Sequence, residues 1–192
     1  MARKLSLAAA AAALALLLTA CDPTQEAAVQ EALTFRTDLL ASEACTYTAE
    51  VTADFGERLY AFTLVCTYHP ADNGAELTVR APEAIAGIAA SVDGETATVR
   101  FENVALELGG LAGGRVAPLQ LPQLLGDAWA YGYVESQAAE DDGWLVTYRT
   151  GYEQEELLVF TRLDAGLTPV QAEIYADGVC ILTAELSDFG AA

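Results

Sequence analysis

The chain has 192 residues, a length that predicts one domain of ordinary size. Such a chain buries about 70% of its unfolded surface, so it needs no metal or disulfide framework to fold. Lys and Arg total 9 and Asp and Glu total 28, a formal charge of −19. This balance argues against nucleic-acid binding and against electrostatic docking onto anionic lipid headgroups. The single histidine leaves little room for histidine-based catalysis or a zinc site.

Residues 1–20 have the pattern of a secretory signal peptide. Arg3 and Lys4 form a positively charged start, and residues 5–18 form an apolar run with one serine. A membrane-spanning helix needs about 20 apolar residues, so this run favours a cleaved signal over a membrane span.

The signal ends in Leu18-Thr19-Ala20-Cys21, which resembles a bacterial lipobox. The resemblance implies cleavage before Cys21 and acylation of its thiol, which leaves residues 21–192 as one lipid-anchored, extracytoplasmic domain on a bacterial membrane. This mature chain has 7 arginines and 28 acidic residues, a formal charge of −21. The alternative is an ordinary secreted protein with an incidental cysteine.

The mature chain begins with a predicted helix and continues as short strands. Residues 24–42 carry one apolar stripe (Ala28, Ala32, Phe35, Leu39) and a neighbouring one (Val29, Leu33, Leu40). From Ala44 the apolar period changes to two, and X-Gly pairs punctuate the runs. The predicted strands are 44–53, 57–68, 75–81, 88–92, 96–102, 104–108, 131–138, 144–150, 155–162, 169–176 and 179–187.

Two segments interrupt the strands: a helical turn at 82–86 and a short helix within 118–130 that starts near Pro122. The predicted fold is therefore α+β. It is a curved antiparallel half-barrel sheet of about ten strands, with a long N-terminal helix and a short mid-chain helix on its concave face.

Turn lengths predict which strand faces are buried. A two-residue loop at Phe55-Gly56 predicts four pairs on one apolar face: Val51 with Tyr60, Ala49 with Phe62, Tyr47 with Leu64, and Cys45 with Cys66. A three-residue loop at 176–178 predicts three more: Ile174 with Cys180, Ala172 with Leu182, and Val170 with Ala184. The second loop directs Cys180 toward the core.

The order of elements resembles bacterial lipoproteins of the lipoprotein-carrier (LolA/LolB-like) fold. The resemblance rests on the lipobox, the helix before the first strand, residues 82–94, the proline-bearing helix 118–130 and the tail 168–189. It implies an open half-barrel with helices against its concave face and no catalytic residues. Members of such a fold carry lipids or acylated proteins, and others have structural or germination-related roles. The lipobox departs from soluble periplasmic carriers, because an acylated chain does not shuttle freely.

These observations predict a non-enzymatic envelope lipoprotein that binds a lipid or another apolar ligand between sheet and helices, without a cofactor or metal. The residues predicted to line that site are Leu33, Leu40, Tyr47, Val51, Tyr60, Phe62 and Leu64. The same side chains could instead fill a closed core. The alternative function is therefore a structural or partner-binding surface lipoprotein without a small ligand, whose acidic surface meets a basic envelope protein or keeps the domain soluble.

Other residue types give weaker hypotheses. Cys45 and Cys66 are a candidate disulfide, with three buried free thiols as the alternative. His69 is predicted to lie in a surface loop, and residues 140–143 are predicted to form a solvated hairpin tip rather than a cation site. Residues 109–114 are Gly-rich but lack the lysine of a phosphate-binding loop. An aromatic group could line a cleft or pack at a helix–sheet junction: Trp129, Trp144, Tyr131, Tyr133 and Tyr148.

Overall fold

A computed structural model describes residues 23–54, 56, 58–93, 96–102, 104–109, 118–151 and 156–192. The two α-helices are α1 (Pro23–Ala41) and α2 (Leu121–Tyr131), and 3₁₀ turns occupy Glu83–Ile85 and Pro118–Gln120. The strands are β1 (Cys45–Asp54), β2 (Leu59–His69), β3 (Gly74–Ala81), β4 (Ala89–Asp93), β5 (Thr96–Phe101), β6 (Val104–Gly109), β7 (Tyr133–Glu140), β8 (Gly143–Thr150), β9 (Leu157–Asp164), β10 (Pro169–Ala176) and β11 (Val179–Ala191).

All eleven described strands form one antiparallel sheet in the order β6-β5-β4-β3-β2-β1-β11-β10-β9-β8-β7. The chain runs outward from β1 to the β6 edge, continues through α2 to the opposite edge, and returns from β7 to β11, which pairs with β1. Helix α2 packs on β2, β3 and β8, and α1 packs on β7 and α2. The sequence prediction of a curved α+β half-barrel with two helices on its concave face is therefore confirmed.

The concave face of the sheet is apolar across many strands because each strand alternates inward and outward residues. In β1 every second residue from Cys45 to Ala53 is buried, while the residues between them face outward. One register row runs through directly paired residues of six strands: Tyr47, Cys66, Leu77, Ala90, Val99 and Leu106. The concave face therefore presents a continuous apolar surface, and α2 covers the part of it on β2 and β3.

The predicted β1–β2 register is wrong by two residues. The structure pairs Asp54 with Leu59, so four residues, not two, separate the strands. Asp54 stabilises the turn because its Oδ1 accepts a hydrogen bond of 2.7 Å from the Gly56 backbone N–H. A shift of two residues keeps the same side chains on the concave face, and it changes only which of them are opposite. Val51 is therefore opposite Phe62.

The predicted β10–β11 loop is also wrong. Ala176 pairs with Val179, so the turn has two residues, and Tyr175 pairs with Cys180. A bulge follows, after which Ile174 pairs with Leu182. The bulge inserts one residue into β11 and returns the buried residues to a common face. Cys180 consequently pairs with half-buried Tyr175 instead of facing the core with Ile174.

Of the two stripes predicted for helix α1, only one is buried among the side chains described, from residue 30 onward, and Ala28 and Val29 lie outside that range. Ala32, Phe35 and Leu39 are at most 5% exposed, whereas Leu33 and Leu40 are 43% and 44% exposed. The narrow buried stripe lies at i, i+3 and i+7, the spacing of one helix face. The two exposed leucines flank this stripe on the surface of the helix.

Arg36 joins the two helices. Its Nε donates to the carbonyl oxygen of Trp129 at 2.8 Å, and its Nη2 donates to that of Gly132 at 2.5 Å. Both carbonyls belong to the C-terminal end of α2, where backbone acceptors lack intrahelical partners and a cation is favourable. The guanidinium carbon also lies 5.8 Å from the centre of the Tyr148 ring.

We expect Arg36→Met to lower the free energy of unfolding by about 2 kcal/mol, because it removes two charge-assisted hydrogen bonds from carbonyls at a helix end. Arg36→Lys should restore part of the lost stability, because lysine keeps the positive charge but cannot reproduce the two hydrogen bonds of the guanidinium group. Chemical denaturation of both variants measures the difference. Equal stability of Arg36→Met and the unaltered protein would contradict the capping role.

Candidate functional site

The interior between sheet and helices is centred on Trp129 of α2. Its side chain is fully buried, and its ring centre lies 5.8 Å from that of Phe35, 5.7 Å from that of Tyr47 and 6.1 Å from that of Phe189. The indole Nε1–H donates to Thr161 Oγ1 at 2.9 Å. These contacts join α1, α2, β1, β9 and β11 in one aromatic cluster, defined here as Phe35, Tyr47, Trp129 and Phe189.

A polar group connects α2 to the turn between β2 and β3. Tyr68 donates its hydroxyl hydrogen to Asn73 Oδ1 at 2.7 Å, and Gln123 Nε2 donates to the Asn73 carbonyl oxygen at 3.0 Å. Gln123 also donates to Asp127 Oδ1 at 2.9 Å. Burial raises the pKa of the Asp127 carboxyl above its ordinary value. The hydrogen bond from Gln123 to Asn73 therefore holds the first turn of α2 against the turn between β2 and β3.

The apolar face becomes accessible at the far end of β2. Along its inward residues burial decreases from Leu64, which is 1% exposed, through partly buried Phe62 to Tyr60, which is 41% exposed. The rings of Tyr60 and Phe62 stack with centres 6.4 Å apart and an interplanar angle of 18°. Tyr60 and Phe62 form the aromatic rim, and Val51, 1% exposed and directly opposite Phe62, lies behind it.

The predicted binding residues therefore divide into three groups. Tyr47, Val51 and Leu64 are buried, and Tyr47 is part of the aromatic cluster. Tyr60 and Phe62 form the aromatic rim. Leu33 and Leu40 lie exposed on the flank of α1 rather than on the stripe that covers the sheet. The structure brings together the strand residues, whereas the two helix residues do not belong to the buried interior.

Sequence reasoning missed two residues of the interior: Phe189 enters the aromatic cluster, and Thr161 accepts the Trp129 hydrogen bond. Tyr148, which the sequence placed in its aromatic group, is fully buried on β8 with no hydrogen-bond partner for its hydroxyl among the described residues. Burial raises the pKa of Tyr148. Gly126 could have indicated a close contact between α2 and the sheet from the sequence alone, because a glycine inside an apolar helix often marks a close approach of another side chain.

The three cysteines that the structure describes are free thiols. Cys45 pairs with Tyr68 and Cys66 pairs with Tyr47, so the direct pairing on which the candidate disulfide rested is wrong. Both are fully buried, and burial raises the pKa of each thiol to about 12. Cys180 is partly exposed, and burial raises its pKa as well. Cys21 lies outside the described residues.

We expect a thiol reagent at pH 8 to modify Cys180 before Cys45 and Cys66 in the native protein, because thiolates rather than thiols react and Cys180 is the accessible thiol among these three. Cys45 and Cys66 should react only after unfolding, since their pKa of about 12 and their burial both oppose it. Mass spectrometry after timed alkylation identifies the modified peptides. Early modification of Cys45 or Cys66 in folded protein would show that this part of the interior opens.

The remaining chemical candidates lie away from the interior. His69 ends β2, next to the inward-facing Tyr68. Residues 140–143 border a surface recess of about 580 Å³, where Glu140 is bound by Arg162. Within the described residues no group of three His, Cys, Asp or Glu side chains is arranged to hold a metal ion.

Of the five predicted aromatics, Trp129 and Tyr148 are core residues and Trp144 is partly buried, while Tyr131 and Tyr133 are exposed.

In the part of the chain that the structure describes, no helix has the length and apolarity needed to cross a membrane. No family model and no curated protein matches the sequence. Solved structures are similar over most of the chain. A DUF1329 family protein from Desulfovibrio piger has a TM-score of 0.50 at 10% identity, with 88% of this chain and 93% of that chain covered.

Two further solved structures are more distant. A LolA superfamily protein from Nitrosomonas europaea has a TM-score of 0.43 at 10% identity, covering 82% of this chain and 92% of that one. The lipoprotein LppX of Mycobacterium tuberculosis has a TM-score of 0.42 at 12% identity, covering 88% and 96%. An open antiparallel sheet with helices on its concave face is the architecture that the sequence resemblance implied, and the chain shares its overall fold with the Desulfovibrio piger protein.

Proposed function

We propose that this chain is a non-enzymatic, extracytoplasmic lipoprotein that binds an apolar ligand, such as a lipid or acyl chain, between its sheet and helices. The observation that carries the proposal is the inward row of β2, which leads from the exposed Tyr60 through Phe62 to the buried Leu64 without a polar side chain. Aromatic and aliphatic linings of this kind favour apolar ligands, because burial removes apolar surface from water.

The aromatic rim supplies the accessible part of this binding surface. An acyl chain lying against Tyr60 and Phe62 gains about 25 cal/mol for each Å² of apolar surface that it buries. Val51 and Leu64 continue the surface inward. The aromatic cluster around Trp129 fills the opposite end, so the proposed ligand lies beyond the cluster, toward the Ala53–Tyr60 end of β1 and β2.

Leu33 and Leu40 form an exposed apolar surface on α1, apart from the aromatic rim. Their exposure makes them accessible to a ligand or a membrane-associated partner, so their contribution to binding can be tested separately from that of the rim residues. We expect replacement of both leucines by serine to leave binding at the rim unchanged. Weaker binding in that variant would show that the ligand contacts the α1 flank.

The proposed anchor is Cys21, two residues before α1 begins at Pro23. Acylation there would hold the domain close to the membrane surface, since so few residues separate the lipid from the first helix. Growth with an alkyne-tagged fatty acid should label the full chain. The Cys21→Ser variant should lose the label, and an unlabelled native chain would contradict the anchor.

A charge placed at the rim tests ligand binding. We expect Tyr60→Asp to weaken binding of a fluorescent fatty acid by about tenfold or more, because a carboxylate beside an apolar chain loses hydration. The matched control is Leu59→Asp, since Leu59 is 69% exposed and pairs with Asp54 on the outer face of the same strand. Equal binding by both variants would contradict a site at the rim.

The second candidate function is partner binding without a small ligand. The observation that favours it is the acidic surface, with 28 acidic residues in the mature chain and carboxylates such as Glu135 and Glu156 beside only a few arginines. A basic envelope protein would be attracted to such a surface, and salt would weaken the complex. Salt-sensitive capture of a basic protein by the rim variant Tyr60→Asp would favour this function.

A further inference from the structure

The inward row of β2 continues beyond the strand to a cation. In steps of two residues toward the solvent, the row consists of Leu64, Phe62, Tyr60 and Arg58. Residues two apart lie on one face of an extended chain, and Arg58 directly precedes β2, which begins at Leu59. Exposure increases from 1% at Leu64 to 41% at Tyr60, and Arg58 is exposed. The row therefore changes from apolar to cationic as it leaves the interior.

The neighbouring strand β1 places no carboxylate on the same face at this end. Its inward residues are Val51 and Ala53, both at most 1% exposed. Asp54, the last residue of β1, lies on the outer face, where its Oδ1 accepts the hydrogen bond from the Gly56 backbone N–H. In the part of the chain that the structure describes, no carboxylate forms an ion pair with Arg58. A ligand on the inward row therefore meets a positive charge at its outer end.

A ligand that matches the whole row is an amphiphile with a negatively charged headgroup. A guanidinium group binds a carboxylate or a phosphate through paired, charge-assisted hydrogen bonds. The chain has a formal charge of −19, but at physiological salt charges more than about 8 Å away are largely screened, so the nearby cation matters most. Residues 58 and 60 lie about 7 Å apart along an extended chain, so a headgroup at Arg58 can belong to a chain on the aromatic rim.

We propose that Arg58 binds the anionic headgroup, a carboxylate or a phosphate, of a lipid whose acyl chain lies against the aromatic rim. The inference rests on the proposed function, because it assigns a headgroup to a ligand of the same site. It narrows the ligand from any apolar compound to an acidic lipid. Arg58 is then a specificity-determining residue, since a neutral lipid with the same chain would bury the same apolar surface without the ion pair.

Two ligands that differ only in the headgroup test this assignment. The test protein is residues 21–192 with Cys21→Ser, which lacks only the predicted signal peptide and acyl chains and therefore needs no detergent. At pH 7.5 a fluorescent fatty acid should bind more tightly than the alcohol with the same chain and fluorophore. Arg58→Gln should weaken binding of the acid by about threefold to tenfold and leave binding of the alcohol unchanged, because only the acid forms the ion pair. Arg58→Lys should retain part of the preference for the acid, since it keeps the charge.

Arg80→Gln is the matched control. Arg80 is exposed on the outer face of β3, the strand that pairs with β2, so its replacement removes the same charge from the opposite side of the sheet. This variant should bind the acid as tightly as the unaltered protein does. Equal weakening of the acid in both variants, or loss of acid and alcohol together in Arg58→Gln, would overturn the proposed headgroup contact.

The same titrations separate this inference from the lipid-binding proposal. Failure of both the acid and the alcohol to bind the protein with Arg58 intact would contradict lipid binding itself, and the headgroup contact with it. Tight binding of both ligands that Arg58→Gln leaves unchanged would overturn the headgroup contact alone. Inorganic phosphate at the concentration of the acid should not displace it, because phosphate lacks the chain that the aromatic rim binds. Displacement by phosphate would overturn the lipid assignment and show that Arg58 binds a free anion.

Discussion

Replacing Trp129 with alanine should lower the free energy of unfolding by about 3–5 kcal/mol, the largest loss expected from a single core truncation in this protein. The side chain is fully buried and contacts three other aromatic rings that belong to α1, β1 and β11. Its removal would leave a cavity where both helices meet the sheet. Urea unfolding followed by circular dichroism measures the loss.

Two further variants separate packing from hydrogen bonding at Trp129. Thr161→Val removes the acceptor of the indole N–H while keeping a similar volume, and it should cost about 1–3 kcal/mol because a buried donor is left unpaired. Tyr131→Ala lies two residues along the same helix, where the side chain is 58% exposed, and should cost much less. A Trp129→Ala variant no less stable than Tyr131→Ala would contradict the central position of the aromatic cluster.

Gly126→Ala should destabilise the protein by about 1–3 kcal/mol, although alanine is intrinsically favoured over glycine in a helix by roughly 1 kcal/mol. A Cβ atom at this position would overlap the ring of Tyr68, including its Cγ atom, and Tyr68 is fully buried. The helix would have to move away from β2. Gly74→Ala is the control, since its nearest neighbour beyond the adjoining residues is the Val92 carbonyl oxygen at 3.6 Å.

A double-mutant cycle tests whether the Tyr68 ring causes this effect. In a Tyr68→Ala background the space beside Gly126 is open, so the second substitution should cost less than it does in the unaltered protein. The two substitutions should therefore couple favourably in denaturant unfolding. Additive losses would indicate that Gly126 is required for another reason.

Secondary structure was predictable because the apolar period changes at one point of the chain. The period of the helix ends near Ala41, and alternating strands separated by X-Gly turns follow. The strand bounds of the structure lie within a few residues of those predicted. The order of strands in the sheet required the structure, because alternation alone does not show that β11 returns to pair with β1.

Strand registers failed where turns departed from the simplest geometry. At residues 55–58 the loop is two residues longer than predicted, so the inward face stays the same and only the cross-strand pairs change. At Ile174 and Tyr175 a bulge corrects the face after a tight two-residue turn. Apolar patterns specify the face of a strand, and they do not specify a bulge that restores that face.

The candidate site was only partly predictable for a related reason. Strand alternation correctly placed Tyr47, Val51 and Leu64 on an apolar interior face. The choice between closed core and accessible surface depends on which parts of that face the helices cover, and this is a tertiary property. In the structure, Tyr47 lies in the core and Tyr60 lies at the rim. Leu33 is exposed, although the helix pattern favours an apolar flank.

The most direct test of the central claim is mass spectrometry of what co-purifies with the domain. Residues 23–192 hold every described helix and strand, and they can be exported without Cys21 and purified without detergent. We predict a lipid or acyl compound in a fixed molar ratio, and its loss from Tyr60→Asp but not from Leu59→Asp. A folded protein that carries no lipid and takes up none from added vesicles would contradict the account and favour the partner-binding function.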